Sequence, residues 1–129
     1  MTVLAAIALE FCQTCLGWSD IAWDSPVSPD EPGRVYGFSD PEKTNFSTFV
    51  PTDLNAVFTM ARSWCQKNSL DWQMTEDRDG LHVRLTDHFG SVLSHLKAKY
   101  FIVSNDLAHA VLVASVAACR KLNATNSTR

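Results

Sequence analysis

Four histidines and the aspartates near them are the residues of this chain that could carry acid–base or metal chemistry. These residues are His82, His88, His95, His109, Asp79 and Asp87. Histidine changes its charge close to neutral pH and binds metals, so a converging set could act as a general acid and base or hold a metal ion. Their spacing matches neither H-x-x-x-H nor H-E-x-x-H. We predict that the histidines lie on separate elements and do not converge.

The cysteines are the second set of residues with chemical potential. The motif CQTC places Cys12 and Cys15 one helical turn apart, whereas Cys65 and Cys119 lie in other apolar segments. A C-x-x-C motif can supply half of a four-thiolate zinc site or a redox pair, but zinc sites usually use two such motifs on turns. Because free cysteine is often buried as a small apolar residue, we predict four reduced thiols and no metal or cofactor. No catalytic residue is assigned, and we predict that the protein is not an enzyme.

Composition limits the classes of fold and function. The chain has 129 residues and 46% apolar content, which suits a single domain over residues 1–129. Its 11 basic and 14 acidic residues give a net charge of −3, so binding to duplex nucleic acid is not expected. The apolar N-terminus lacks a positive region and is interrupted by Glu10, so we expect neither a secretion signal nor a membrane span. The expected location is the cytoplasm.

Helical periodicity marks three segments. In the first, apolar residues recur at helical spacing from Leu4 to Cys15, and Gly17 can end the helix. The second, TDLNAVFTMARSWCQKN, has Thr52 as its predicted N-cap and a single apolar stripe. The third covers about residues 105–122, is apolar nearly all the way round and should be the most buried. A polar tail is predicted at 123–129.

Alternating apolar and polar residues predict a hairpin between the last two helices. The alternation runs from Leu70 to Thr75 and from Leu81 to Thr86, on either side of DRDG, where Gly80 can adopt the positive φ of a tight turn. The segments SVLSHL and KYFIVSN are further candidate strands. The sequence therefore predicts an α+β domain in which three helices pack on an antiparallel sheet of three or four strands, similar to an α/β/α sandwich.

The segment between the first two helices, residues 19–50, shows no periodicity and is predicted to be a long loop. It contains many aromatic residues and prolines, and ordered loops of this length often carry function. Trp, Tyr and Arg are also common at binding hot spots. The predicted contact surface consists of Trp18, Trp23, Arg34, Tyr36 and Phe38, accompanied by Gly33 and Gly37. The alternative is that these rings only hold the loop against the helices.

Four acidic residues of the same segment raise the question of a nucleic-acid mimic. They are Asp30, Glu31, Asp40 and Glu42. Arg34 and Lys43 lie among them, and mixed charge argues against mimicry of a polyanion. A solvated loop held at the surface by its prolines is the simpler interpretation.

Several segments together suggest a family. The chain combines an apolar first helix ending in LGW, the helix TDLNAVFTMARSWC, a hairpin with Trp72 and a final HAVLVASVAACRKL. In these segments, though not from Ser19 to Val50, it resembles the phage ABA sandwich domain family of small proteins from tailed phages and prophages. The resemblance implies a phage accessory protein with a sheet and packed helices, and it supplies no catalytic residues.

The resemblance also implies what such a protein would do, because small phage accessory proteins are often inhibitors of host defence. The first hypothesis is a non-catalytic anti-defence inhibitor, similar to anti-CRISPR proteins, that binds a host immune protein in the bacterial cytoplasm. The second is sequestration of a nucleotide immune signal, with rings stacking on the base and Arg34, Lys43 or Arg62 holding phosphate. The third is a virion or host-takeover component without a role in defence. No oligomeric state is predicted.

Overall fold

Three helices and six strands follow one another in the residues that the computed structural model describes, 2–25, 32–98 and 104–127. The helices are α1 (Val3–Glu10), which continues into a π-helical turn (Phe11–Cys15), α2 (Leu54–Lys67) and α3 (Ser104–Ser127). The strands are β1 (Ser19–Asp24), β2 (Arg34–Phe38), β3 (Phe46–Phe49), β4 (Leu70–Asp77), β5 (Gly80–Asp87) and β6 (Val92–Ala98). They form two antiparallel sheets, in the orders β1-β2-β3 and β4-β5-β6. The predicted α+β class, with helices packed on antiparallel sheets, is confirmed.

The first sheet lies within the segment where the sequence predicts a long loop, so the loop prediction is wrong for Ser19–Asp24, Arg34–Phe38 and Phe46–Phe49. Residues 26–31 of this segment lie outside the described residues. Its strands are short, and β1 contains a bulge between Ser19 and Ala22, with Asp20 at a φ of +52°. A bulged strand shows no regular period of two. A Cβ at Gly37 in β2 would lie 2.9 Å from the backbone oxygen of Ser19, so this glycine permits close strand packing.

The second sheet confirms the predicted hairpin. β4 and β5 pair from Leu70 opposite Asp87 to Asp77 opposite Gly80, and Gly80 has the positive φ of +132°. β6 pairs with β5 and confirms the strand predicted at SVLSHL. The other candidate strand, KYFIVSN, lies mostly outside the described residues, and its last two residues begin α3.

Local hydrogen bonds determine where the helices begin and end. Asp53, rather than the predicted Thr52, is the N-cap of α2, because its carboxylate accepts from two backbone N–H groups of the first turn at 3.1 and 3.3 Å. Gly17 follows the first helical segment with a φ of +71°, as the sequence predicts. α3 extends to Ser127, so most of the predicted tail at 123–129 is helical.

Helix α3 contributes to two apolar clusters. The first includes Phe11, Trp18, Val35, Phe49, Val57, Ala61, Ala108, Val111, Leu112 and Val116. The second includes Trp64, Cys65, Leu70, Leu81, Val83, Leu85, Ala110, Ala114, Ala118 and Cys119. Among the described helices α3 has the most buried side chains, as its all-round apolar sequence predicts. None of the described helices has both the length and the apolar character needed to cross a bilayer.

All four cysteines are free thiols in or beside these clusters. Burial raises the pKa of Cys12 to about 12 and that of Cys65 to about 11. Burial also raises the pKa of Cys15, and the adjacent Cys119 adds to this effect. The Sγ atoms of Cys15 and Cys119 donate to backbone carbonyl oxygens at 3.7 and 3.3 Å. These thiols therefore behave as packed apolar groups.

We expect the Cys12 thiol to contribute to a loss of stability at alkaline pH. A thiol whose pKa is raised by folding stabilises the folded state fully below its ordinary pKa of 9.0, and this contribution is lost as the pH rises toward about 12. In Cys12→Ala the free energy of unfolding should therefore fall less steeply above about pH 9, by about 1 kcal/mol per pH unit. Urea unfolding of both proteins at several pH values measures the two slopes. Equal slopes would show that the core tolerates the thiolate.

Candidate functional site

The structure divides the predicted contact residues between the core and an exposed face. Trp18 is only 8% exposed and belongs to the first apolar cluster. Trp23 is half-buried and packs against the same cluster. Its ring covers Gly33, where an added Cβ would overlap the ring atom Cζ2. The two tryptophans and this glycine therefore serve packing, which is the alternative that the sequence leaves open.

The remaining predicted residues lie on the outer side of β2. Along this strand Val35 and Gly37 are buried, whereas Arg34, Tyr36 and Phe38 are exposed or half-buried. Phe46 of β3 is opposite Phe38 and is 61% exposed. The ring centroid of Phe46 lies 5.8 Å from that of Tyr36 and 5.9 Å from that of Phe38. We call the cluster of Tyr36, Phe38 and Phe46 the aromatic face.

Phe46 is not among the contact residues that the sequence predicts. Its strand has only four residues, and too few positions alternate to reveal which of them share a side. Once the pairing of β2 with β3 is known, Phe46 follows from its position opposite Phe38.

Two ion pairs flank the aromatic face. Arg34 Nε lies 3.2 Å from Asp24 Oδ2, and Lys43 Nζ lies 3.0 Å from Asp20 Oδ2. The Asp24–Arg34 pair is at one end of the β1–β2 ladder, and Asp20 is near the other. Exposed pairs of this kind contribute only about 0–1 kcal/mol to stability, so their main effect is to place charge around the rings.

The three predicted phosphate-binding cations are not brought together. Arg34 and Lys43 have the carboxylate partners just described, at different ends of a ladder. Arg62 lies on α2, with its guanidinium carbon 5.8 Å from the centroid of the Trp72 ring. Arg62 lines a pocket together with Trp72 and Thr86 of the second sheet, whereas Arg34 and the partner of Lys43 belong to the first sheet. Their arrangement gives no common site for one phosphate group.

The acidic residues of the same segment have separate roles. Asp30 and Glu31 lie outside the described residues. Asp40 holds the turn between β2 and β3, because its carboxylate accepts from the hydroxyl of Thr44 and from backbone N–H groups. These hydrogen bonds, led by the one from Thr44, keep the pKa of Asp40 below its ordinary value. Glu42 is exposed.

Two of the four histidines converge, so the prediction that they lie apart is wrong for this pair. His82 Nδ1 lies 3.0 Å from His95 Nε2, and His82 Nε2 lies 2.9 Å from Asp77 Oδ2. The antiparallel pairing of β5 with β6 makes the two histidines diagonal neighbours on one side of the sheet. The alternation of polar residues in β6, which continues that of β5, is the sequence signal that could have revealed them.

The other candidate acid–base residues are engaged elsewhere. His88 lies in the turn after β5, and His109 is half-buried in α3. Asp79 pairs with Lys97 at 3.7 Å, and Asp87 accepts hydrogen bonds from backbone N–H groups of the following turn. In the described parts of the chain, no three His, Cys, Asp or Glu side chains are grouped so that they could hold a metal ion.

We expect substitutions of the predicted aromatic residues to divide into two classes. Trp18→Ala should lower the free energy of unfolding by about 3–5 kcal/mol, because it empties part of the core. Phe46→Ala should lower it by about 1 kcal/mol or less, since it removes only the cross-strand contacts of an exposed ring. Urea unfolding with circular dichroism detection compares the two. Similar losses would contradict the assignment of Trp18 to the core and Phe46 to the surface.

Comparison with known proteins returns no relative of this chain. No family model matches the sequence. No curated protein and no solved structure matches it either. The function must therefore be inferred from the geometry of the described residues and from the resemblance of the sequence to the phage ABA sandwich domain family.

Proposed function

We propose that this chain is a non-catalytic binding protein that docks a protein partner through the aromatic face. The exposure of Phe46, at 61%, carries the proposal. A large apolar ring that contacts two others on a sheet surface is removed from water only when a partner covers it. Apolar groups gathered on one surface are typical of interaction sites. Phenyl rings supply contact area and no acid–base chemistry, which suits binding.

The shape of the surface favours a protein as the ligand. The rings of the aromatic face lie on the outer face of a three-stranded sheet. Small-molecule sites are concave and bury most of the ligand, whereas protein interfaces combine an apolar centre with a polar rim. The Asp24–Arg34 and Asp20–Lys43 pairs border the rings and suit such a rim. Tyr and Arg are also residue types that often dominate binding energy.

The class of partner follows from the resemblance to phage accessory proteins. Within that resemblance we propose a component of a host defence system, inhibited in the host cytoplasm because the bound protein covers its working surface. Nucleotide sequestration would need cations that meet at one phosphate group. Arg34, Lys43 and Arg62 have separate partners, so the same residues do not support that alternative. A virion or host-takeover role would use the same face with a different partner.

We expect Phe46→Ala and Tyr36→Ala each to weaken the complex by about 30-fold or more, because truncation at a hot spot costs about 2 kcal/mol or more. The partner is captured from host lysate with the wild-type protein, identified by mass spectrometry, purified, and titrated against each variant by calorimetry. Phe89→Ala is the matched control. Phe89 is 85% exposed and lies in the turn between β5 and β6 of the second sheet, whereas the aromatic face belongs to the first sheet.

Several outcomes would contradict this proposal. If both aromatic-face variants keep their fold by circular dichroism and bind like the wild type, the partner docks elsewhere. If the partner is a second copy of the chain, light scattering will show a dimer that Phe46→Ala dissociates. A virion component among the captured proteins, with no defence protein, would reject the defence role while retaining the interface.

A further inference from the structure

A second candidate site lies on the polar side of the β4–β6 sheet. It is a pocket of about 280 Å³ lined by Gln73, Thr75, Asp77, His82, Arg84 and His95, which we call the histidine pocket. Small-molecule sites usually measure about 300–1,000 Å³, so this volume suits a small ligand. The pocket belongs to a different sheet from the aromatic face, and the proposed partner interface makes no use of it.

Hydrogen bonds in the histidine pocket form a chain that begins at Asp77. An ionised carboxylate only accepts hydrogen bonds, so the 2.9 Å contact with Asp77 Oδ2 requires a proton on His82 Nε2. The backbone N–H of Asp79 and the neighbouring His82 hold the pKa of Asp77 below its ordinary value, which keeps the carboxylate ionised. At 3.0 Å, His82 Nδ1 and His95 Nε2 can share one further proton, and only one.

The position of this shared proton couples the two rings. In the neutral pair, His95 Nε2–H donates to His82 Nδ1, and His95 Nδ1 carries no proton. When the pair takes up one proton, His82 holds a proton on each nitrogen and donates from Nδ1 to His95 Nε2. His95 Nδ1 then carries a proton and becomes a donor. One added proton therefore gives the pocket a positive charge and an additional N–H donor.

Arg84 supplies a permanent positive charge beside the two rings. It lies opposite His95 in the β5–β6 pairing and lines the same pocket. Among the residues that the structure describes, no hydrogen bond or ion pair engages Arg84, whereas Lys97 on the same side of the sheet pairs with Asp79. A guanidinium group binds phosphate and sulfate oxygens through two parallel hydrogen bonds. An unpaired arginine next to two histidines favours an anionic ligand.

We propose that the histidine pocket binds a small oxyanion of the phosphate or sulfate type, and that binding takes up one proton at the His82–His95 pair. Arg84 attracts the anion whatever the protonation of the pair, and the protonated pair adds a charge-assisted hydrogen bond. Asp77 is the negative group nearest the rings. Its carboxylate is already engaged by His82 and by the backbone N–H of Asp79, which limits its repulsion of the anion.

Sulfate is the probe of choice, because its charge stays constant over the range in which histidine titrates, about pH 5 to 8. Calorimetry at constant ionic strength should give a dissociation constant at least about fivefold lower at the acidic end of that range. Arg84→Gln should weaken binding about tenfold or more at both ends, since it removes charge-assisted hydrogen bonds. The double variant His82→Gln/His95→Gln should keep the affinity of the alkaline end and lose the pH dependence, because either histidine alone can still take up a proton.

Lys67→Gln is the matched control, because it removes one positive charge from an exposed residue in the last turn of α2. It should bind sulfate like the wild type, and equal weakening by Lys67→Gln and Arg84→Gln would overturn the site. In the wild type, NMR of the ring nitrogens should show sulfate-dependent shifts at His82 and His95 and none at His88; unchanged spectra would also overturn it. A pH dependence that persists in the double variant His82→Gln/His95→Gln would overturn proton uptake at this pair.

The same titration distinguishes two sources of the anion. A nucleoside monophosphate is compared with inorganic phosphate at one pH. Binding about tenfold tighter for the monophosphate would assign the site to a phosphate ester, since the additional atoms must make contacts of their own. Equal affinity would assign it to the free ion. If the monophosphate, inorganic phosphate and sulfate all fail to bind, the proposed oxyanion site is rejected.

Discussion

Helix α3 is apolar on nearly every side, and the need to bury all of those sides determines how the rest of the chain is arranged. A helix with one polar face needs only one covering layer, whereas α3 needs two. Val111 and Leu112 join the cluster formed with α1, α2 and the first sheet, and Ala110 and Ala114 join the cluster under the second sheet. Each sheet therefore covers the core with one side and exposes the other side to solvent.

The side of α3 that meets the second sheet has small residues, which brings β6 close to the helix backbone. Ala110, Ala114 and Ala118 are all buried in that cluster. Ser94 of β6 donates from Oγ to the carbonyl oxygen of Ala114 at 2.8 Å. A larger side chain at these positions would separate strand and helix, because protein interiors are close-packed. The position of β6, and with it that of His95, thus depends on buried alanines that do not line the histidine pocket.

The sequence predicts the helices and strands in which buried and exposed residues alternate at a regular spacing. It misses the strands in which a bulge or a short length interrupts that spacing. The hairpin from Leu70 to Asp87 shows a period of two because one side of it is covered and the other is open. The first sheet is different, since β1 has a bulge and β3 has four residues. Residue type alone selects Tyr36 and Phe38, two of the three rings of the aromatic face, but it does not separate Trp18 in the core from Tyr36 on the surface. Trp18 is buried because it packs in the first apolar cluster, whereas the position of Tyr36 beside Phe46 depends on the pairing of β2 with β3.

Strand pairing also explains why both candidate sites are absent from any local sequence motif. Phe38 and Phe46 meet across β2 and β3, and His82 and His95 meet across β5 and β6, so each contact joins residues from two separate strands. If β3 slipped by one residue along β2, Phe46 would move to the buried side of the sheet. A slip of one residue between β5 and β6 would do the same to His95. The register that fills the core around α3 is therefore the same register that assembles the rings and the histidines.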